Sequence, residues 1–373
     1  MSKEKLIPLR RIREKGIEQR EQFVLKRLVE EYIQTKSPVS SRIICDNKLQ
    51  TASSATIRNE LFKLEKRGFI YQPHTSAGRM PTISGYREYI NLVSKDIENT
   101  IYDKLDFLKN LLINNYRDIP LSLHYIKQLL AKETDLLTFV AEPEISYDIL
   151  QNLDVFKVSK EKLLFVVSLM SGMDKTVVIK PDFEISEQQL KVAVRYINEE
   201  LSGLRIYDIQ NKYIEEMSEK WASENKLLNL FVKEFYFALF EMNNYFIHFD
   251  SNVEFLEQPE FDKKNMIILF LNLMQRQDML VNIMHKNLSS ISTPEKETFS
   301  NNWKVILGED FGNPEWADFS LVYSRYEIFD IPGYLGVIGP CRMDYKNLIP
   351  KVRDIANAVT ETTKQGMLVV RNG

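Results

Sequence analysis

One stretch near the N-terminus, residues 51–86, constrains the fold of this chain more than any other part of it. Three apolar residues in it are spaced by four and by three, which places them on one face of a helix: Ile57, Leu61 and Leu64. Ser53 or Ser54 can serve as the N-cap, because a short hydroxyl accepts from free amide protons of the first turn. Gly68 is expected to end this helix, because glycine tolerates a positive φ.

The opposite face of this predicted helix carries polar and basic side chains able to reach phosphates and base edges. They are Thr56, Arg58, Asn59, Lys63 and Lys66. Residues 69–72 are typical of a short strand, and residues 73–81 of a polar turn that contains Arg79. Helix, glycine stop, strand and basic loop together predict a winged helix. An ordinary amphipathic helix with a solvated polar face would explain the helix alone, but the small polar loop around Arg79 suits a phosphate backbone or a minor groove.

Two further helices are predicted upstream. Residues 20–35 have a strong apolar face, and residues 37–41 are typical of a turn and cap before a second short helix that reaches about Lys48. Three helices in this order, with a short second one, are typical of a helix-turn-helix. After the loop, Thr82 or Ser84 can cap another helix, which the apolar pattern continues to about Asn115.

These residues closely resemble the heat-inducible transcription repressors, the HrcA family. The resemblance is carried by residues 53–61 (SSATIRNEL), by Leu64, Glu65 and Gly68, and by residues 72–82 (QPHTSAGRMPT). Further stretches match at 257–261, 308–310 and 336–345. The family usually has Gly-Ser where Ser40 and Ser41 stand, and a small residue such as one with a hydroxyl at Cys341. The similarity spans nearly the whole chain and is weakest from about 205 to 250.

The resemblance implies a repressor of class I heat-shock operons, which encode the major chaperones. Such a repressor binds double-stranded DNA at an inverted-repeat operator of the CIRCE type as a homodimer, and a GroE-type chaperonin keeps it active. The residues that we predict to contact DNA are Ser53, Ser54, Thr56, Arg58, Asn59, Lys63, His74, Thr75, Ser76, Gly78 and Arg79.

The rest of the chain predicts a multidomain α+β protein. Strand-like runs occur near 136–140, 155–157, 163–169 and 176–180, and again at 303–307, 319–326 and 334–338. Helices are predicted at 121–133, 186–201 and 348–365, and a long aromatic-rich helical segment from about 204 to 290. A helical block between two sets of strands favours an insertion, and the resemblance implies a GAF-like domain interrupted by a dimerisation domain. We predict a winged-helix domain at 1–95, the GAF-like domain at 96–203 and 296–373, and the inserted, mostly helical dimerisation domain at 204–295.

Charge is unevenly distributed. Residues 1–90 contain 18 Lys and Arg and 10 Asp and Glu, a net of +8, and subtraction from the totals of 49 and 52 leaves 31 and 42, a net of −11. A basic end on an acidic body suits an anionic partner, although an uneven but solvated surface is the alternative. The basic residues of 1–17 fit either an arm on the DNA backbone or a solvated tail.

Two distant cysteines and no long apolar run predict a cytoplasmic protein without a membrane span.

No catalytic or metal-binding motif is found in the sequence. The four histidines are widely spaced, and neither a P-loop nor a nucleophile elbow is present. We therefore predict no enzyme activity and no cofactor. The aromatic stretch 231–249 is expected to form part of the core or of a dimer interface. For Arg342 and Asp344 two roles are open: they face a ligand or a partner, or they pair with each other and cap the last helix. A small molecule in the GAF-like domain, which would make this a ligand-sensing regulator, stays open as the alternative function.

Overall fold

The computed structural model describes residues 19–46, 54–115, 118–182, 184–213, 232–239, 247–251, 253–262, 264–289 and 302–371. Several predictions lie outside these residues. They concern the basic arm at 1–17, the N-cap at Ser53 and much of the aromatic stretch 231–249.

The N-terminal unit, residues 19–46 and 54–99, contains four helices and a two-stranded sheet. In chain order they are α1 Gln19–Thr35, α2 Ser41–Asp46, α3 Ser54–Lys66, β1 Ile70–Tyr71, β2 Met80–Pro81 and α4 Ile83–Asn99. The strands are antiparallel, with Ile70 opposite Pro81. Gly68 has a φ of 79° directly after α3, as predicted for the helix stop. Thr82 caps α4 by accepting from the amide of Gly85 at 3.1 Å.

The remaining elements form two units, a sheet body and an inserted unit. In chain order they are α5 Leu105–Asn114, α6 Ile119–Thr134, β3 Leu137–Ala141, β4 Leu150–Ser159, β5 Lys162–Leu169, β6 Lys175–Ile179, α7 Glu187–Leu201, β7 Ile247–Asp250, α8 Lys264–Gln275, α9 Gln277–Ser289, β8 Trp303–Leu307, β9 Phe319–Ile328, β10 Ile331–Pro340 and α10 Tyr345–Arg371. A further helix occupies 232–239.

The sheet body is built on five antiparallel strands in the order β7-β3-β10-β9-β8. Side chains alternate between the two faces of a strand, so Phe319 and Tyr323 of β9 lie on the same face. Phe319 contacts Phe270 of α8, and the Tyr323 hydroxyl donates to the carbonyl of Met284 in α9. Helices α8 and α9 therefore cover this face, and α10 packs along β9 as well.

The inserted unit, residues 145–213 and 232–239, has its own sheet and its own core. Strands β4, β5 and β6 form a separate three-stranded antiparallel sheet. Helix α7 packs on it and starts with a capping box between Ser186 and Gln189. One apolar cluster contains buried residues from Ile145 to Leu239, whereas the N-terminal unit and the sheet body share the other.

Two of the predicted boundaries fall within one cluster or one helix, and one predicted helical segment contains a strand. The boundary between 203 and 204 falls inside the second cluster, since Leu201 and Ile206 both belong to it. The segment predicted as helical from 204 to 290 contains strand β7, and its helices α8 and α9 pack with the sheet body. The boundary at 95 falls inside α4, which continues to Asn99.

The single helix predicted from 84 to about 115 is divided into α4 and α5. The chain between them is held by the C-terminal helix α10. Arg353 donates to the carbonyls of Ile97 at 2.9 Å and Thr100 at 2.6 Å, and the Tyr102 amide donates to Asp354 at 2.8 Å. These long-range hydrogen bonds satisfy backbone groups at the end of α4 and so stabilise the break.

Candidate nucleic-acid interface

Helix α3 presents a polar face to solvent, as the spacing of its apolar residues predicted. Ile57, Leu61 and Leu64 are buried. Of the residues predicted to contact DNA, Ser54, Arg58, Asn59 and Lys63 are exposed and Thr56 is half-buried. The Arg58 guanidinium also lies within 3.5 Å of the Ser41 hydroxyl at the start of α2. The donors that can reach an anionic ligand are therefore accessible on one helix.

Buried and half-buried charges anchor the end of α3 against α1. Glu21 of α1 is only 3% exposed and accepts from Arg67 at 2.5 Å. The same guanidinium lies 5.7 Å from the centre of the Phe69 ring. Loss of either partner would leave a charge in this enclosed place without its counterion, which is costly, so this ion pair helps to hold the C-terminal end of α3 against α1.

The loop between β1 and β2 is held in shape by Gln72, which the sequence analysis did not select. Its side-chain amide donates to the carbonyls of Thr75 at 3.0 Å and Ala77 at 2.8 Å. The backbone amide of Ala77 donates to the carbonyl of His74 at 2.8 Å, which closes a turn. His74, Thr75 and Ser76 are exposed at this turn. A glutamine two residues before a His-Thr-Ser turn is a signal that sequence inspection could have used.

The far end of the loop is fastened to the connection between α1 and α2. Val39 and Arg79 exchange two backbone hydrogen bonds, at 2.9 and 2.8 Å. A Cβ atom on Gly78 would lie 2.5 Å from the carbonyl carbon of Val39 and 2.6 Å from that of Pro38. Glycine is therefore required at 78 by close backbone packing, a reason independent of any contact with DNA.

Arg79 has a partner within the chain. Its guanidinium is 3.1 Å from the carboxylate of Glu65 in α3, and both side chains are partly exposed. From the sequence, Arg79 was predicted to contact DNA. The structure adds an ion pair that joins the loop to α3, and a phosphate would compete with Glu65 for this guanidinium.

Of the two roles expected for Arg342 and Asp344, the pairing between them is wrong, although Asp344 does cap α10 by accepting from the Asn347 amide at 3.4 Å. Arg342 is 9% exposed and forms a two-pronged ion pair with Glu260, at 2.8 and 2.9 Å. Asp344 instead accepts from Asn347 in the first turn of α10. The partner of Arg342 is 82 positions away in the sequence, which is why local spacing did not reveal it.

Arg342 also joins the sheet body to the N-terminal unit, because it donates to the carbonyl of Ile33 in α1 at 3.3 Å. Burial alone would lower the pKa of Arg342, but the hydrogen bonds and charge of Glu260 outweigh it and raise that pKa above its ordinary value. Burial, together with the charge of Glu260, raises the pKa of the neighbouring Tyr32 to about 12. The junction thus favours a charged arginine beside a neutral tyrosine.

Two concave regions lie away from α3. A groove of about 750 Å³ runs between β4 and α7 of the inserted unit. A cavity of about 200 Å³ lies where the sheet body meets the β5–β6 turn, and its lining includes Glu142, His124 and His248. Within the described ranges, no three His, Cys, Asp or Glu side chains group as metal ligands. No described helix combines the length and apolar character that crossing a bilayer requires.

A helix that presents hydrogen-bond donors and cations to solvent can contact the phosphates and base edges of a nucleic acid. The family model described as the HrcA protein C terminal domain matches residues 122–349. A relative from Natranaerobius thermophilus, named Heat-inducible transcription repressor HrcA, is 30% identical over 353 residues, which cover 91% of this chain and 95% of the relative. One of the same name from Prosthecochloris aestuarii is 29% identical over 349 residues, covering 92% and 96%.

The chain therefore belongs to the HrcA family of heat-inducible transcription repressors. Members of this family are transcription repressors and not enzymes. A crystal structure described as that of a hypothetical protein at 2.2 Å resolution aligns with a TM-score of 0.59 and 22% identity, over 94% of this chain and 99% of the other. That alignment shows a shared fold.

Proposed function

We propose that this chain is a transcription repressor that binds double-stranded DNA through α3 and the β1–β2 loop, as a winged helix-turn-helix. The observation that carries the proposal is the orientation of α3, with its apolar residues buried and Arg58, Asn59 and Lys63 exposed. A helix of this kind fits the major groove, where base edges accept and donate hydrogen bonds. The net charge of +8 over residues 1–90 supports attraction to DNA.

The operator in this proposal is an inverted repeat of the CIRCE type in front of chaperone operons. Membership of the HrcA family supports it. A GroE-type chaperonin as the partner that keeps the repressor active is proposed on the same ground. Reconstitution of operator binding with and without purified chaperonin tests it, and an affinity that does not respond to chaperonin would contradict it.

A two-fold protein is needed for an inverted repeat, because each half-site takes one recognition helix. We propose that the inserted unit, rather than the predicted segment 204–295, supplies the dimer contact, and that the sheet body is the GAF-like domain. The support is an apolar row on the outer face of the inserted sheet, where Phe156, Leu164 and Val178 are cross-strand neighbours. Phe156 is 56% exposed and Val178 54% exposed.

Footprinting on the promoters of the cell's chaperone operons tests the DNA proposal first. On the protected site, Arg58→Ala and Asn59→Ala should each weaken binding by about 1–3 kcal/mol, the usual worth of a base-reading contact. Neither side chain is in the core, so both variants should unfold like the wild type. Arg195→Ala, which removes an exposed arginine of α7, is the matched control. Unchanged binding by both α3 variants would overturn the assigned orientation on DNA.

Sedimentation of full-length variants tests the dimer. Phe156→Asp places a charge in the apolar row and should give a monomer that binds the inverted repeat weakly. Val192→Asp is the control, because Val192 is equally exposed, at 58%, but lies on helix α7. A dimer that survives Phe156→Asp and Val178→Asp together would refute this interface.

Among the described residues of the sheet body, the observation that favours the alternative, a ligand-sensing regulator, is the cavity at Glu142. Its volume of about 200 Å³ is below the roughly 300–1,000 Å³ typical of small-molecule pockets. A ligand that binds only the folded state raises apparent stability. A thermal shift with small organic anions that is lost in a Lys127→Ala variant would support the alternative.

A further inference from the structure

The exposed face of α3 carries one aromatic side chain among its hydrogen-bond donors. Successive helix residues are rotated by about 100°, so the direction opposite the buried residues Ile57 and Leu64 falls between Ala55 and Lys66, with Asn59 on one side of it and Phe62 on the other. Phe62 is 63% exposed. Arg58 and Lys66 lie one turn before and one turn after it, and Asn59 lies three residues before it.

A phenyl ring in this position gains nothing from phosphates, because it has no hydrogen-bond donor. Phenylalanine is usually buried, although a single exposed one is common on protein surfaces. The cations around Phe62 make an apolar protein partner a poor match and an anionic one a good match. The major groove of DNA offers an apolar contact within an anionic surface, the C5-methyl group of thymine.

We infer that Phe62 contacts the C5-methyl group of a thymine in the operator half-site and helps to determine sequence specificity. The inference rests on the proposed function, since it requires α3 to lie in the major groove. Arg58 and Asn59 then form hydrogen bonds with base edges, while Phe62 excludes water from the methyl group between them. Phe62 was not among the predicted contacts, because the residues of α3 were chosen for their hydrogen-bond donors.

Deoxyuridine substitution tests this contact directly. The full-length protein is titrated with duplexes of the footprinted inverted repeat in which each thymine is replaced, one position at a time, by deoxyuridine. This change removes one methyl group and keeps every hydrogen-bonding atom of the base. At one thymine in each half-site the substitution should weaken wild-type binding about fourfold, the equivalent of roughly 0.8 kcal/mol for one buried CH₂-sized group.

The Phe62→Ala variant completes a double-mutant cycle with the same duplexes. It should bind the thymine operator several-fold more weakly and show no difference between thymine and deoxyuridine at the sensitive position. Phe62→Leu should keep part of the difference. Phe107→Ala is the matched control, because Phe107 is 62% exposed on α5 and should bind every duplex like the wild type.

The outcomes separate this inference from the function on which it rests. If the wild-type protein protects no inverted repeat and Arg58→Ala has no effect, the proposed function fails. If the wild type binds but no thymine is sensitive, the inference is overturned while the function stands. The inference is also overturned if Phe62→Ala keeps the full difference between thymine and deoxyuridine, because the methyl group would then be read by another residue.

Discussion

Replacement of Arg342 by methionine is expected to destabilise the protein by about 2–3 kcal/mol. Loss of one partner from a fully buried ion pair costs roughly 3–5 kcal/mol, whereas an exposed pair contributes about 0.2–1 kcal/mol. Here the arginine side chain is 8% exposed and the Glu260 side chain 24% exposed. Some water therefore remains available to the unpaired carboxylate, which places the cost between these limits. Ile33 and Gln258 lose a donor as well.

Urea unfolding of four proteins measures the effect: wild type, Arg342→Met, Glu260→Met and the double variant. The double variant should recover much of the lost free energy of unfolding, because no unpaired charge is left behind. The coupling energy should exceed 1 kcal/mol, within the roughly 0.5–3 kcal/mol found for residues in contact. Arg87→Met is the control. Arg87 pairs with Asp310 between the same two units, but their side chains are 47% and 43% exposed, so the change should stay below about 0.5 kcal/mol.

Two results would refute this account of the junction. One is an Arg342→Met protein as stable as the wild type. The other is a coupling energy near zero, which would mean that Arg342 and Glu260 contribute independently. The proposed function adds a second measurement, since Arg342 holds α1. Arg342→Met should weaken binding to the full inverted repeat more than Arg87→Met does, although neither residue belongs to the DNA-reading face.

Four other substitutions test the β1–β2 loop and the Glu142 carboxylate at the cavity. Gly78→Ala should destabilise by about 1–3 kcal/mol, as overpacking does, because its Cβ would meet backbone at 2.5 Å; thermal unfolding equal to wild type would contradict this. Glu65→Gln should free Arg79 for phosphates and tighten binding to operator and random DNA alike, most at low salt, whereas Arg79→Ala should flatten the salt dependence by about one unit of slope. Burial works against ionisation of Glu142, yet hydrogen bonds from His248 and Lys175 outweigh it and lower its pKa. The ionised Glu142 therefore stabilises the fold above its unfolded pKa of about 4.3, and this stabilisation is lost as the pH falls from there through the pKa of the folded protein. Glu142→Gln should remove this part of the loss of stability at acidic pH.

Local signals were sufficient for the N-terminal unit. The buried face of α3, the stop at Gly68 and the cap at Thr82 each depend on residues within a few positions of one another. The same holds for α7, whose Ser186–Gln189 capping box is visible in the sequence, and for the strand Trp303–Leu307. In each case the spacing of the apolar residues and the residue types at the ends predict the same element.

Long-range partners explain where the sequence analysis failed. Strand β7 lies in an aromatic segment that predicts helix, and its pairing partner β3 is about 110 residues away. The strands β4 to β6 were correctly expected as strands, but a strand pattern does not say which sheet it joins, and they form a separate one. Arg342 and Glu260 were each in stretches that resemble the family, yet only the fold brings them together.

The division of the core into two clusters has a consequence for regulation. The N-terminal unit shares one apolar cluster with the sheet body, so the packing that positions α3 extends into the sheet body. Three polar links reinforce this sharing: Arg342 to Ile33, Arg353 to the end of α4, and Arg87 to Asp310. A loss of packing in the sheet body would therefore change the position of α3 without any change at the DNA-reading residues. The inserted unit has a separate cluster, so the dimer contact that we propose there would persist while the orientation of the N-terminal units is lost. If the proposed dimer and operator binding hold, we expect DNA binding to be lost on heating before the two chains dissociate.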